Sequence, residues 1–201
     1  MQNTETSEAI LDAAQELAQI RGYNAFSYRD LAERVGIRTA SIHYHFPTKG
    51  DLGRSLIARY AAYVADVCDD LERRSPDAPT RLRGYAALLE QVLAPPGSTA
   101  AGSGRVCLGG MLASEYPTLP PEVQREVRRF VDDNVRWLAR VLAAGRDAGT
   151  LAFAGAADAA ATALFAALEG AMFVARTAGD AGRYRAATDW LLSALAPPSA
   201  R

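Results

Sequence analysis

Apolar residues recur along this chain at intervals of three and four rather than two, and that period predicts helices from end to end. Over residues 7–21, Ile10, Ala13, Ala14, Leu17 and Ala18 form one stripe that stops at Gly22. Ser27 stands where an N-cap belongs, with Asp30 three residues on as its capping-box acid. Leu31, Ala32 and Val35 follow on an inner face, and Gly36 closes that helix as a left-handed cap would. A second short helix starts at Arg38 or Thr39, reaches His45 or Phe46, and is broken by Pro47. Thr48 then caps a long helix from Lys49 into the low seventies, striped by Leu52, Leu56, Ile57, Tyr60, Val64, Val67 and Leu71.

The rest of the chain continues the pattern. Ser75 to Pro79 reads as a turn, and a helix follows over about 80–94. PPGSTAAGSG, residues 95–104, is a flexible loop, read either as a domain linker or, as the short flanking segments favour, as a connection between two helices of one domain. A short helix over 105–116 ends where Pro117 to Pro121 break it. Pro121 opens a long helix with Glu122 and Glu126 near its positive end and Val123, Val127, Phe130, Val131, Trp137, Leu138 and Val141 on its stripe, closing at Gly149. An Ala- and Gly-rich helix over 155–178 and a last one over 182–195 complete the count. The expectation is an all-α chain of about nine helices, without repeats.

Composition narrows the function. Hydrophobic residues at 49% and charged residues at 22% suit a globular protein with a sizeable core. No apolar run reads as long enough to cross a bilayer, and the polar N-terminus lacks the basic start of a signal peptide. Two well-separated cysteines, Cys68 and Cys107, fit a reducing, cytoplasmic setting. Net charge is −1, but residues 21–59 hold seven basic side chains (Arg21, Arg29, Arg34, Arg38, Lys49, Arg54, Arg59) against three acids, a local excess that favours phosphate. Catalytic groups do not converge: both histidines lie in one short helix, the cysteines have no sequence-evident base, and GSG at 102–104 lacks a preceding strand. His43 and His45, two apart on a helix, diverge and make no metal pair. The chain reads as a non-enzyme without cofactor or metal.

Residues 27–52, SYRDLAERVGIRTASIHYHFPTKGDL, carry the chemistry. Two helices that cross steeply need a glycine at the turn, which Gly36 supplies. The second helix needs an inner apolar side, for which Ile37, Ile42 and Phe46 serve, and an outer polar side for a DNA groove. Arg38, Thr39, Ser41, His43, Tyr44 and His45 form that outer side, with Arg38 suited to guanine in the major groove. Ser27, Tyr28 and Lys49 sit at helix N-termini, where amide donors attract phosphate.

This stretch, with ILDAAQELAQIRGYNAFS upstream, resembles the N-terminal signature of the TetR family of transcriptional repressors across residues 8–57. The glycine turn, the aromatic tip, Phe46, Lys49 and Leu52 fall in register. One departure is His43, where the family usually carries Tyr, so a hydroxyl contact to phosphate is not transferred to that position. The resemblance implies a three-helix helix-turn-helix DNA-binding domain over residues 1–50 and a helical ligand-binding and dimerisation domain over 51–201. It implies a homodimeric regulator that binds a palindromic double-stranded operator and is released by a small-molecule inducer.

Within the C-terminal part, Ala163, Ala166, Ala167, Gly170 and Ala171 would let helices approach closely. With Leu164, Leu168, Trp190 and Leu191 they form a candidate four-helix dimer interface. Candidate pocket residues are Leu88, Leu89, Cys107, Met111, Phe130, Asn134, Trp137, Phe165 and Met172. Asn134 stands out as an amide on an apolar stripe, satisfied either by a ligand or by a neighbour. Cys107 allows two readings: a thiol activated by a helix start and Arg105, sensing oxidants or electrophiles, or a small buried hydrophobe. A helical interaction module without DNA binding is the remaining alternative.

Overall fold

The computed structural model describes residues 2–93 and 104–197. Nearly all of the loop expected over 95–104, and Ala94 at the end of the preceding helix, lie outside the described residues. The described chain is all-helical: α1 (Gln2–Arg21), α2 (Tyr28–Val35), α3 (Thr39–His45), α4 (Lys49–Arg74), α5 (Ala78–Leu93), α6 (Leu108–Ser114), a 3-10 turn at Tyr116–Thr118, α7 (Pro121–Asp147), α8 (Ala157–Ala178) and α9 (Gly182–Ser193).

Contacts group the chain into two compact units, residues 1–63 with 107–130 and residues 64–106 with 131–201. The boundaries fall inside α4 and α7, so each of these helices contributes to both units. The first unit therefore takes in α6 and the first turns of α7, which a linear division of the chain separates from the N-terminal helices.

In the first unit α1 packs on α2 and α6, and α2 packs on α3. Its core is the expected stripe: Ile10, Ala14 and Ala18 from α1, Leu31 from α2, Ile42 from α3 and Leu52, Leu56 and Ile57 from α4 are fully buried. Each buried leucine or isoleucine among them contributes about 1.5–3 kcal/mol. α1 begins earlier than its apolar stripe, because residues 2–8 are polar residues that a helix accommodates and only the stripe criterion leaves out.

In the second unit α5 packs on α8 and α9, and α8 packs on α9. Tyr85, Leu89, Leu138, Leu142, Ala161, Leu168, Met172 and Tyr184 fill the centre. Tyr184 ties α9 to α5 by donating its hydroxyl to the Ala86 carbonyl at 3.0 Å.

α8 corrects one expectation. Its 22 residues, with a mean hydropathy of 1.4 over the most apolar window, are long and apolar enough to cross a membrane. Alanine supplies that length without a run of large apolar residues, which is why the helix does not stand out in the sequence. In the fold, Leu164, Phe165, Leu168, Ala171, Met172 and Ala175 are buried within the unit.

Candidate nucleic-acid interface

The reading head is assembled by caps. The Ser27 side chain accepts from the Asp30 amide, while the Asp30 carboxylate accepts from the Ser27 amide at 2.7 Å and from its hydroxyl at 2.6 Å. These bonds hold the Asp30 carboxyl below the usual carboxylate range. Gly36 ends α2 at φ 76°, a left-handed conformation that an L side chain would strain, and its amide donates to the Ala32 carbonyl. The chain reverses there and α3 begins three residues later, at Thr39. At the far end Thr48 and Asp51 repeat the capping box, with Thr48 Oγ1 donating to Asp51 at 2.7 Å and the Asp51 amide donating back at 3.0 Å. α3 is thus clamped between two capped helices.

Ile42 and Phe46 turn inward and are buried, with Ile37 half-buried beside them. Arg38, Thr39, Ala40, His43 and Tyr44 are exposed, and Ser41 and His45 are half-buried. Tyr44 is 74% exposed, its ring edge-on to His45 at 5.3 Å. Thr6, Ile37, Arg38, Ala40, Ser41, Tyr44 and His45 line a shallow concavity of about 460 Å³. Thr6 of α1 had no sequence signal, because only the fold brings it beside the second helix.

Three of the expected phosphate contacts are engaged elsewhere. Tyr28 is buried, and its hydroxyl donates to the Phe46 carbonyl at 2.8 Å; burial, with the Asp51 charge adding, pushes its pKa up to about 12. The Ser27 hydroxyl is spent in the capping box. Lys49 is half-buried, its ammonium donating to the Phe26 carbonyl at 2.5 Å and lying 4.7 Å and 4.6 Å from the Tyr23 and Phe26 ring centres. Burial lowers the Lys49 pKa, partly offset by Glu115 and Asp30. An N-terminal helix position alone does not reveal which way a side chain turns. His43 is exposed, with Nδ1 3.3 Å from the Pro47 carbonyl and its ring against Tyr28 at 4.7 Å.

The local basic excess is also partly spent. Arg29 pairs with Glu33 at 3.0 Å, Arg34 pairs with Glu16, and Arg59 pairs with Glu8 and Asp12 at 2.8 and 2.9 Å. The three α1 acids fall outside the 21–59 window and offset it in space. Among the described residues Arg38 makes no ion pair, which leaves its guanidinium for an external anion.

The first unit also holds a buried thiol. Cys107 is fully buried at the N-cap of α6, with the Tyr60 hydroxyl 3.7 Å from its sulfur. That burial favours the reading as a small core residue over the reading as an accessible sensor. Cys68 is buried as well, and burial pushes its thiol up to about 12.

Residues 10–56 match the model for bacterial regulatory proteins of the tetR family, and residues 80–191 match the tetracyclin repressor-like C-terminal domain. A TetR-family transcriptional regulator from Agrobacterium tumefaciens is 36% identical over 96% of this chain and 99% of its own, with a TM-score of 0.90. The chain belongs to the TetR family. A TetR regulator from Legionella pneumophila is 30% identical over 94% of this chain and 96% of its own, with a TM-score of 0.81. No curated protein matches the chain. As a TetR-family member it is a DNA-binding transcriptional regulator and not an enzyme.

The pocket residues expected of a TetR C-terminal domain divide between the two units. Leu88, Leu89, Asn134, Trp137, Phe165 and Met172 are buried in the second; Cys107, Met111 and Phe130 are buried in the first. In the second unit Tyr85 donates its hydroxyl to Asn134 Oδ1 at 2.7 Å, so a neighbour satisfies that amide oxygen. Trp137 stacks on Tyr85 at 5.4 Å, 4% exposed, and its Nε1 has no hydrogen-bond partner among the described residues. Sequence reasoning selected Trp137 for its ring and missed the donor.

The residues expected at the dimer face fall on different sides of α8 and on α9. Leu164, Leu168 and Ala171 are buried inside the protomer at 6%, 1% and 7% exposure. Helical period explains this: they share a face with Phe165, Met172 and Ala175. The opposite face of α8 exposes Ala163, Ala166, Gly170 and Val174, while Ala167 and Leu191 are half-buried. Trp190 of α9 is 71% exposed and Val174 is 55% exposed. Val174 was not among the expected interface residues.

Proposed function

We propose that the chain is a homodimeric repressor that reads a palindromic operator through α3 of each protomer and leaves it when a small molecule binds the C-terminal helices. The exposed outer side of α3, with Arg38 and Tyr44 at its ends, is the observation that carries the DNA reading. In this reading Arg38, Thr39, Ser41, His43, Tyr44 and His45 meet base edges and phosphates, and Thr6 joins them from α1. Lys49, with one donor engaged on Phe26, serves more as an anchor of α4 than as a phosphate ligand. Residues 1–50 form the DNA-binding part, and residues 51–201 the ligand-binding and dimerisation part.

Dimerisation through α8 and α9 is supported by their exposed side, which combines small residues with Val174 and Trp190. A large exposed apolar side chain beside a smooth Ala/Gly surface is what a close helix–helix interface requires. Two reading helices then meet successive major grooves about 34–36 Å apart. Regulation by a ligand is supported by Trp137. A buried indole N–H without a protein partner costs about 1–3 kcal/mol, which an acceptor on a bound molecule would recover. The inducer therefore combines an apolar body with a carbonyl, ether or carboxylate oxygen. It acts by binding the DNA-free state better than the DNA-bound one. The site of action is the cytoplasm, where the DNA is.

The experiment is a gel shift with duplex DNA from upstream of the chain's own gene, alongside light scattering for mass. A retarded two-protomer complex supports the reading. A monomer that leaves the duplex unshifted at low salt overturns it.

A further inference from the structure

We infer that Glu115 is a positioning residue for DNA reading: its carboxylate clasps the turn between α1 and α2 and so makes the reading head depend on where α6 stands. The inference rests on the DNA-binding role above. Glu115 follows α6 and lies some ninety residues from the turn it holds. Its Oε2 accepts from the Tyr23 amide at 2.6 Å and its Oε1 accepts from the Asn24 amide at 3.2 Å. Asn24 adds a second tie, donating Nδ2 to Thr118 Oγ1 at 2.8 Å. The fit is close: a Cβ on Gly22 would stand 3.0–3.2 Å from the carboxylate.

The clasp leads directly to the start of α4. Tyr23 is 2% exposed, and its hydroxyl donates to the Lys49 carbonyl at 2.5 Å. Lys49 returns the connection by donating its ammonium to the Phe26 carbonyl at 2.5 Å. Three residues separate the end of α3 from Lys49. The contacts run from Glu115 to Tyr23 to Lys49, from which the chain leads back to α3, and each member is inside the first unit.

The Tyr23 and Asn24 amides lie in the turn beyond α1, where each N–H needs an acceptor, but water or a local side chain would serve them as well. A carboxylate brought from α6 does something those acceptors would not: a displacement of α6 by about one ångström breaks charge-assisted bonds whose strength falls steeply with distance. Release of the turn then loosens the seat of α4 and the angle at which α3 is presented.

The sign of the effect on DNA binding tests this. Removing an acid from a DNA-binding head lowers repulsion of phosphate and by charge alone tightens binding. Loss of the clasp predicts the opposite. For Glu115→Ala, affinity for the upstream duplex falls by about tenfold or more, the size of one or two charge-assisted hydrogen bonds. Because no phosphate contact is removed, the salt dependence of binding stays as in wild type. Glu115→Gln, which keeps one acceptor oxygen, falls in between, and serves if Glu115→Ala does not fold. Amide hydrogen exchange in the full chain, without DNA, gives an independent reading: Tyr23 and Asn24 exchange faster in both variants, and so do the first amides of α4. Binding equal to or tighter than wild type by the folded variant, or unchanged exchange at Tyr23 and Asn24, overturns the inference. A wild-type chain that binds no duplex while both variants still speed exchange would instead count against the DNA reading and leave the clasp standing.

Discussion

The Trp137 indole lies against the Tyr85 ring with centres 5.4 Å apart and planes 26° apart, yet only Tyr85 has its polar atom engaged, on Asn134. The stacking rewards a flat ring at 137 and does not require an indole nitrogen. Trp137→Phe therefore keeps most of the packing and removes a costly unpaired donor. We expect it to be as stable as wild type or more stable by up to about 1 kcal/mol, whereas Trp137→Ala loses about 3–5 kcal/mol. Urea unfolding measures both. A Trp137→Phe chain destabilised by more than about 2 kcal/mol would mean that the donor is satisfied in the protein itself.

Trp190 and Val174 give a second expectation. A charge placed at Val174, or Ala at Trp190, removes or spoils an apolar contact that the protomer core does not use. Val174→Arg converts the dimer to monomer in light scattering at micromolar concentration, with far-UV circular dichroism retained. A dimer that survives both Val174→Arg and Trp190→Ala places the interface elsewhere.

Much of this was readable from residues alone, for a physical reason. Ser27 with Asp30, Gly36, Pro47 and Gly149 act on their immediate neighbours, so their effect is set by local spacing. Apolar stripes fixed the inner side of α3 and the faces of α4 and α7 in the same way. What escaped depends on contacts distant in sequence. Lys49 turned inward because Tyr23 and Phe26 offered ring faces and a carbonyl, and Tyr28 turned inward to Phe46. Leu164 and Ala163 are neighbours in the chain, and an Ala-rich helix gives little contrast to tell the core side from the exposed side. Glu115 had no signal at all, since its partners are backbone amides.

Lys49 and Arg38 should separate in experiment. Arg38→Ala weakens binding to the upstream duplex by about 1–3 kcal/mol if it pairs with guanine, and leaves the melting temperature nearly unchanged. Lys49→Met removes a half-buried donor and two ring contacts, so it lowers the melting temperature by several degrees as well as weakening binding. Equal melting temperatures for wild type and Lys49→Met would return Lys49 to the role of a plain phosphate ligand.

The capping box at α2 predicts an acid response. Asp30 has its folded pKa lowered by the Ser27 hydroxyl and amide, so its stabilisation is complete above the ordinary carboxyl range and is lost as pH falls through the folded value. Asp30→Asn removes that part of the pH dependence. Thermal melts from pH 7 down to pH 2 should show a smaller fall for Asp30→Asn than for wild type; parallel curves would show that the cap carries no linkage.

The most direct test of the account is the affinity of the wild-type chain and an Arg38→Ala, Tyr44→Ala variant for palindromic duplex DNA from upstream of its gene, measured by fluorescence anisotropy across a salt series. The account predicts a complex of two protomers per site, affinity that falls steeply with salt, and a loss of about a hundredfold in the double variant with the fold intact. Wild-type and variant affinities that coincide at every salt concentration would contradict it.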